Sequence, residues 1–555
     1  MKKPSKNNHL FLLVSLLITA TFFLMPAYAQ DNKNGEIDKI FSWSKPNEPG
    51  CAVAVAQNGK QIFNRAYGAA DLERNVPLGT NSIFDAGSVQ KQFVAASVLI
   101  LAEGGKLSLD EDIHKYIPEL PDYGQKITLN HLLTHTSGIR DWTGLGPLTG
   151  RMVDALSLTL RQHGLDFAPG EEFSYSNSGF VLLKEIVART SGMTIDDFMQ
   201  KRLFEPLGMK NTAYVSDLYK VVKNRALAYE KQKDGLKLDV GLGNDRGGGG
   251  GMLSTPSDLL IWNEALTSSR LGKFVTQKLH ENAKLNNGRT LGYGRGLFLD
   301  TYRGGKMVSH SGGSAGYSTW LGRLPDRGLS VAVMCNIEPI SATAFAHRIF
   351  DLYVPKPVDE QIDTEGPPPV IPEGIDVSDK TGLFITEQTG DIIRLSVDRG
   401  RFRVTGAPGL VTVSKDRFKR WGSSLQYKSG DEFEINFLSP NEFDLVSMEG
   451  KRTRYLRPAP YAPTAEELKA FAGNYDNNET GAAFEITPGK EGVMVRVNWN
   501  DSRAFEFKPI ARDTFQLGYM ILRFQRNKDG KITGFDYSNP AVRNIKFTRL
   551  GDDCR

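Results

Sequence analysis

Cys51-Ala52-Val53-Ala54-Val55-Ala56-Gln57, then Asn58-Gly59, then Gln61-Ile62-Phe63 is the stretch on which the fold turns. A strand-like run is followed by the two-residue turn most favoured in hairpins and by a second strand-like run, so it reads as a β-hairpin. Strand patterns of the same kind return only far downstream, at Lys306–His310, Tyr317–Arg323 and Leu329–Cys335. The last two are split by Pro325-Asp326-Arg327-Gly328. Helical periodicity fills the interval: Val89–Glu103 stops at Gly104-Gly105, and Phe180–Thr190 stops at Ser191-Gly192. The N-terminal and C-terminal strands are therefore expected to share one antiparallel sheet flanked by helices, an α+β domain over residues 33–355.

Beyond residue 355 the pattern changes. Residues 356–375 are rich in proline, including Pro367-Pro368-Pro369, and read as a stiff linker. After them come short alternating strands without helical period. Thr381-Gly382-Leu383-Phe384 and Ala472-Gly473-Asn474-Tyr475 open two similar stretches, which Arg454-Tyr455-Leu456 and Lys546-Phe547-Thr548 close. A repeat of roughly 90 residues implies two small all-β, barrel-like domains, at 376–458 and 465–551.

The chain ends bound its chemistry and setting. Lys2, Lys3 and Lys6, an apolar run from Leu10 to Met25 and Ala27-Tyr28-Ala29 form a secretory signal pattern over residues 1–29, cut after Ala29. A periplasmic or secreted protein without a remaining membrane anchor is expected. The net charge of +4 falls to +1 without the three signal lysines, which gives no support to nucleic-acid binding. Cys51, Cys335 and Cys554 are too few for a disulfide framework, and Cys51 and Cys335 are expected as buried thiols.

Three short motifs carry the chemistry: Ser88-Val89-Gln90-Lys91, Tyr175-Ser176-Asn177 and His310-Ser311-Gly312. At i and i+3 near a helix start, the Lys91 amine can reach the Ser88 hydroxyl, while the helix terminus offers backbone N–H groups to a reacting oxygen. For Lys91 to accept a proton near neutrality its pKa must fall from about 10.4 toward roughly 7–8. Tyr175 is placed to share that proton traffic, and Asn177 to bind a substrate amide. Other matches are decoys. Ser42-Trp43-Ser44-Lys45 is followed by Pro46 and Pro49 and cannot sit on a helix. Gly312-Gly313-Ser314-Ala315-Gly316 resembles a hydrolase elbow, but a strand follows it where a helix is required. His131 and His135 have zinc spacing without a third ligand, and Gly247–Gly251 lacks the Lys-Ser or Lys-Thr of a phosphate cradle.

With the three motifs in this order, residues 45–340 resemble the serine β-lactamase and penicillin-binding-protein superfamily, on the branch of class C β-lactamases, D-alanyl-D-alanine carboxypeptidases and D-aminopeptidases. The stretches Ile127–Gly138, Phe167-Ala168-Pro169-Gly170-Glu171, Pro206-Leu207-Gly208-Met209 and Gly251-Met252-Leu253-Ser254-Thr255 match the same branch. The resemblance implies a β-lactamase/transpeptidase-like fold. It makes Ser88 the nucleophile, with Lys91 and Tyr175 moving protons, and gives substrate binding to Asn177, His310, Ser311 and Gly312. It puts an oxyanion hole at the backbone N–H groups of Ser88 and Gly313, and it needs neither metal nor cofactor. The sequence departs from β-lactamases at His310, where lysine is usual. A partly charged imidazole there is expected to bind carboxylate substrates less well as pH rises through roughly 6.5.

The function expected is an exported serine hydrolase, a peptidase on D-amino-acid-containing peptides such as peptidoglycan fragments. A serine β-lactamase, an esterase and a weakly catalytic wall- or partner-binding protein are the alternatives. Self-association is left open.

Overall fold

The computed structural model describes residues 32–149, 154–217, 220–239, 251–355, 370–386, 389–405, 409–420, 433–447, 451–497 and 503–551. Residues 1–29, expected from the sequence as a signal segment, Cys554, positions 356–369 of the linker and Gly247 to Gly250 lie outside the described residues.

The central sheet has six antiparallel strands in the order Phe298–Tyr302, Gly305–Ser314, Tyr317–Leu324, Leu329–Cys335, Cys51–Gln57 and Lys60–Tyr67. The N-terminal hairpin therefore joins the downstream strands edge to edge, as its sequence implies. Both faces are covered, which explains the near-continuous apolar runs. Ala52, Ala54 and Ala56 face the larger layer with the helices Lys91–Glu103, Asn177–Ser191 and Pro256–Thr267. Cys51, Val53 and Val55 face the helix Ala342–Tyr353 and the N-terminal helix over 32–40.

Cys51 and Cys335 are direct partners in the register of neighbouring strands, with Cα atoms 4.0 Å apart, and they form a disulfide. The expectation of two separate buried thiols is corrected. Both residues are buried, but their pairing depends on a register joining positions 284 residues apart.

Two all-β modules follow. The first is an eight-stranded sheet over Gly382–Leu456 whose outer strands, Arg401–Val404 and Leu410–Ser414, are linked by a single bridge from Arg403 to Gly409. The second, Gly473–Arg549, is a closed eight-stranded barrel in which the first and last strands pair. Among the described residues no helix is long and apolar enough to cross a membrane.

Candidate active site

Ser88 lies in a 3-10 turn, Gly87–Gln90, which runs directly into the helix Lys91–Glu103. Gly87 holds φ +52°, a left-handed conformation that a side chain would strain. Lys91, only 4% exposed, donates from Nζ to Ser88 Oγ at 3.1 Å and to Asn177 Oδ1 at 2.9 Å. The same ammonium lies 4.7 Å from the centroid of the Tyr175 ring and 5.6 Å from that of Phe180. Asn177 opens the helix Asn177–Ser191, whose N-cap is Ser176. Its amide is fixed by buried Asp141, whose Oδ2 accepts from Asn177 N at 2.5 Å and from Nδ2 at 3.1 Å. Nδ2 facing a carboxylate leaves Oδ1 for the lysine, so Asn177 orients Lys91. Thr143 donates its N–H and hydroxyl to the other Asp141 oxygen, each at 2.8 Å. Burial pushes the Asp141 pKa up, against these bonds and the Lys91 charge.

The strand Gly305–Ser314 forms the opposite wall. A Cβ on Gly87 would lie 2.7 Å from the Gly313 nitrogen, and one on Gly312 would collide with the Ala86 carbonyl. Two glycines thus let the strand lie against the serine turn, bringing the Gly313 amide beside it.

His310 is 1% exposed and packs against Phe298 and Tyr293. Its Nδ1 lies 2.6 Å from the Ser311 carbonyl, so Nδ1 carries the proton and Nε2 is an acceptor, 3.5 Å from the Tyr293 hydroxyl. Tyr293 in turn sits 3.1 Å from His135 Nε2, and His135 Nδ1 accepts from Ser176 N at 3.0 Å. One consistent donor direction runs from the second motif to the third through neutral groups. Burial first, then the Lys91 charge, lowers the His310 pKa to about 3. The same two causes, with His310 added, hold His135 well below 6.5. Burial, then Tyr175, raises Tyr293 well above 10. The expectation of a partly charged His310 near neutral pH is therefore corrected, together with the carboxylate pH dependence built on it.

A family model described as Beta-lactamase matches residues 41–353, more than half of the chain. The chain belongs to the Beta-lactamase family. Penicillin-binding protein 4* of Bacillus subtilis (strain 168) is 30% identical over 342 residues, covering 56% of this chain and 73% of the relative. A D-aminopeptidase of Brucella anthropi is 24% identical over 526 residues, 90% of this chain and 95% of the relative, so the likeness runs through both β modules. The octameric penicillin-binding protein homologue from Pyrococcus abyssi has the same fold at TM-score 0.53 and 24% identity, covering 77% of this chain and 99% of that one. As a Beta-lactamase family member with D-aminopeptidase relatives, the protein is a serine hydrolase.

In this Beta-lactamase family member Ser88, Lys91, Tyr175, Asn177, His310, Gly312 and Gly313 come together around the serine turn, with His310 buried behind Tyr175. Ser311 contributes the carbonyl that fixes the His310 tautomer. The decoys stand apart in role: Ser44 donates to the Pro49 carbonyl, Lys45 to that of Ser42, and His131 Nδ1 accepts from Thr128 N in a capping box. Asp85, Asp141 and Tyr293 were missed from the sequence. Asp85 did leave a trace, since it interrupts an apolar stretch (Ile83-Phe84-Asp85-Ala86) where a lone acid needs hydrogen-bond partners, whereas Asp141 directly follows a charged residue, Arg140, and does not stand out. Tyr293 left none.

Proposed function

We propose that this serine hydrolase is an exported peptidase that cleaves D-amino-acid-containing peptides or amides through an acyl-Ser88 intermediate. The observation that carries the reading is the 3.1 Å contact from Lys91 Nζ to Ser88 Oγ. Lys91, in its neutral form, takes the hydroxyl proton as Oγ adds to the substrate carbonyl, and the N–H groups of Ser88 and Gly313 receive the developing oxyanion. The proton then passes by way of Tyr175 to the leaving nitrogen. Water repeats the sequence on the acyl-enzyme and frees Ser88. Asn177, held by Asp141, keeps the lysine on line.

Neutral His310 offers no charge to a substrate carboxylate. That favours an aminopeptidase or amidase over an enzyme that recognises a C-terminal carboxylate, and it agrees with the length over which the D-aminopeptidases match. Export is supported by the signal pattern of residues 1–29 and by the Cys51–Cys335 disulfide, which suits an oxidising compartment.

The test is turnover of D-amino-acid amides and of a small ester by the protein and by Ser88→Ala, with intact mass after brief exposure to a penicillin. Loss of turnover by about 10³-fold or more in the variant is expected. Retained turnover would remove Ser88 from the mechanism. A persistent penicillin adduct on Ser88 would shift the reading toward a carboxypeptidase-type penicillin-binding protein, and rapid consumption of the drug toward a β-lactamase.

A further inference from the structure

The two proposed oxyanion donors come from elements far apart in sequence: Ser88 from the turn after the short strand Phe84–Asp85, and Gly313 from the end of Gly305–Ser314. Among the described residues nothing in the backbone ladder joins those elements: the Gly305–Ser314 strand pairs with Phe298–Tyr302 and Tyr317–Leu324. Yet the hole works only if both N–H groups keep their spacing, since each donor is worth most when it aims at the oxyanion rather than at the ground-state carbonyl.

One side chain spans the gap. Asp85 is 7% exposed between fully buried Phe84 and Ala86. Its Oδ1 accepts from Gly87 N at 2.7 Å, on the serine side, and its Oδ2 accepts from Ser314 Oγ at 3.2 Å, on the strand side. Its backbone carbonyl accepts from Thr319 Oγ1 at 3.1 Å, and Thr319 is the register partner of Gly312. Gly251 seals the far side so closely that a Cβ there would come 2.8 Å from Oδ2. Among the described residues no cation lies within 4.0 Å as a salt-bridge partner for Asp85. Burial pushes its pKa up, opposed by the Gly87 and Ser314 bonds and by the charge of Arg225. A buried carboxyl without an ion pair costs several kcal/mol unless its hydrogen bonds offset that cost. Both of its bonds go to the residues flanking the oxyanion donors.

We infer that Asp85 is a positioning residue which clamps the Ser88 turn to the Gly313 end of the strand and so sets the spacing of the oxyanion hole. The inference rests on the acyl-Ser88 reading. It predicts a loss confined to transition-state binding, because the clamp touches neither the substrate nor Lys91.

The experiment compares the full-length protein with Asp85→Ala, Asp85→Asn and Ser314→Ala, reading kcat and KM on p-nitrophenyl acetate and inhibition by phenylboronic acid. Ser88 Oγ adds to the trigonal boron, its proton passing to neutral Lys91, and the tetrahedral anionic boronate places an oxygen in the hole. A misplaced donor pair should lower kcat and boronate affinity together by roughly 10- to 100-fold in Asp85→Ala, with KM changed by less than about twofold. Asp85→Asn, which keeps an acceptor for Gly87 N, should recover most of both. Ser314→Ala removes only the strand-side tether and should lose a smaller factor in the same two quantities, and it carries the test should Asp85→Ala fail to fold. Boronate affinity within about twofold of the parent in Ser314→Ala and in every folded Asp85 variant would overturn the inference while leaving Ser88 in place. A parent protein that neither uses Ser88 nor binds the boronate would overturn the catalytic reading, and the clamp with it.

Discussion

The two C-terminal modules read as near-copies in the sequence, but they stand in different relations to the catalytic domain. The first closes a core of its own, built around Phe384, Phe402, Phe418, Phe443 and Tyr455, which among the described residues takes no side chain from the catalytic domain. The core of the second includes Leu145, Leu148 and Leu158, with Trp142 packed against it, from the helices Trp142–Thr149 and Ala155–Leu160 of the catalytic domain. Polar contacts repeat the asymmetry. Arg140 reaches Glu479 at 2.6 Å, Arg543 N donates to Asp166 Oδ1 at 2.9 Å, and Asn539 Nδ2 donates to the Gly144 carbonyl at 2.9 Å. From the first module, Lys451 forms an ion pair with Glu172 of the catalytic domain. The difference matters because the helix Trp142–Thr149 begins directly after Asp141, the residue that fixes Asn177 against Lys91. A module that carries none of the three motifs thus packs on the segment that organises one of them, while its sequence neighbour, among the described residues, adds no side chain to that shared core.

The largest effect should come from removing the modules separately. A chain ending at Pro458 exposes Trp142, Leu145, Leu148 and Leu158 to water. At about 1.5–3 kcal/mol for each buried leucine, the loss rivals the whole stability of an ordinary domain. Soluble yield should collapse, and ester turnover in any soluble fraction should fall by about 100-fold or more. Replacing residues 376–458 by a flexible linker should instead leave turnover within about threefold. Equal losses in both would erase the comparison.

This asymmetry lies just past what the sequence discloses. Runs buried on both faces and bounded by turns locate the sheet well: Cys51–Gln57 and Leu329–Cys335 are strands with the expected limits. The strand Gly305–Ser314 extends four residues beyond the expected end at His310, because Gly312 and Gly313 break the apolar pattern yet pair with Thr319 and Ser318. The helix expected from Phe180 starts at Asn177, where Ser176 serves as its cap within the second motif. The meeting of Ser88, Lys91, Tyr175 and Asn177 was legible because the two motifs that hold them sit at helix starts, which bring short-spaced groups together. The charge of His310 was not, since it follows from burial against Phe298 and Tyr293. Neither was the second module's shared core, because Leu145 and Leu148 look the same whether a helix packs on its own domain or on a neighbour.

Asp166 offers a finer measure of the second module's grip. Its carboxyl, 8% exposed, accepts from Arg543 N. Burial raises its pKa to about 6, against that bond and the charges of Arg140 and Arg543, with Asp141 adding to the rise. The folded pKa is above the ordinary 3.8, so the protonated form is the one the fold favours. Its contribution to stability is complete below pH 3.8 and is lost as pH rises through about 6, amounting to about 3 kcal/mol at most. Asp166→Asn, neutral throughout and still an acceptor for Arg543 N, should remove this decline. Chemical denaturation at pH 4.5 and pH 7 measures it: the advantage of the variant should grow between the two. A constant difference would mean that the carboxyl titrates in its ordinary range.

The smallest effect is expected at Lys451, and it is the one that could reverse the comparison. Its side chain is 38% exposed, and its partner Glu172 is also held by Arg543 at 3.1 Å, from the second module. The lysine end of the pair is open to solvent, which keeps its contribution to about 0–1 kcal/mol, and the half-buried carboxylate keeps another cation when the lysine is removed. Lys451→Ala should therefore shift stability by less than about 1 kcal/mol and leave turnover unchanged. Denaturant midpoints and ester kinetics on the same preparation measure both. A larger loss in turnover than in stability would mean that the first module also reaches the catalytic centre. Its path would be Glu172, three residues before Tyr175, and the bracing role would then belong to both modules.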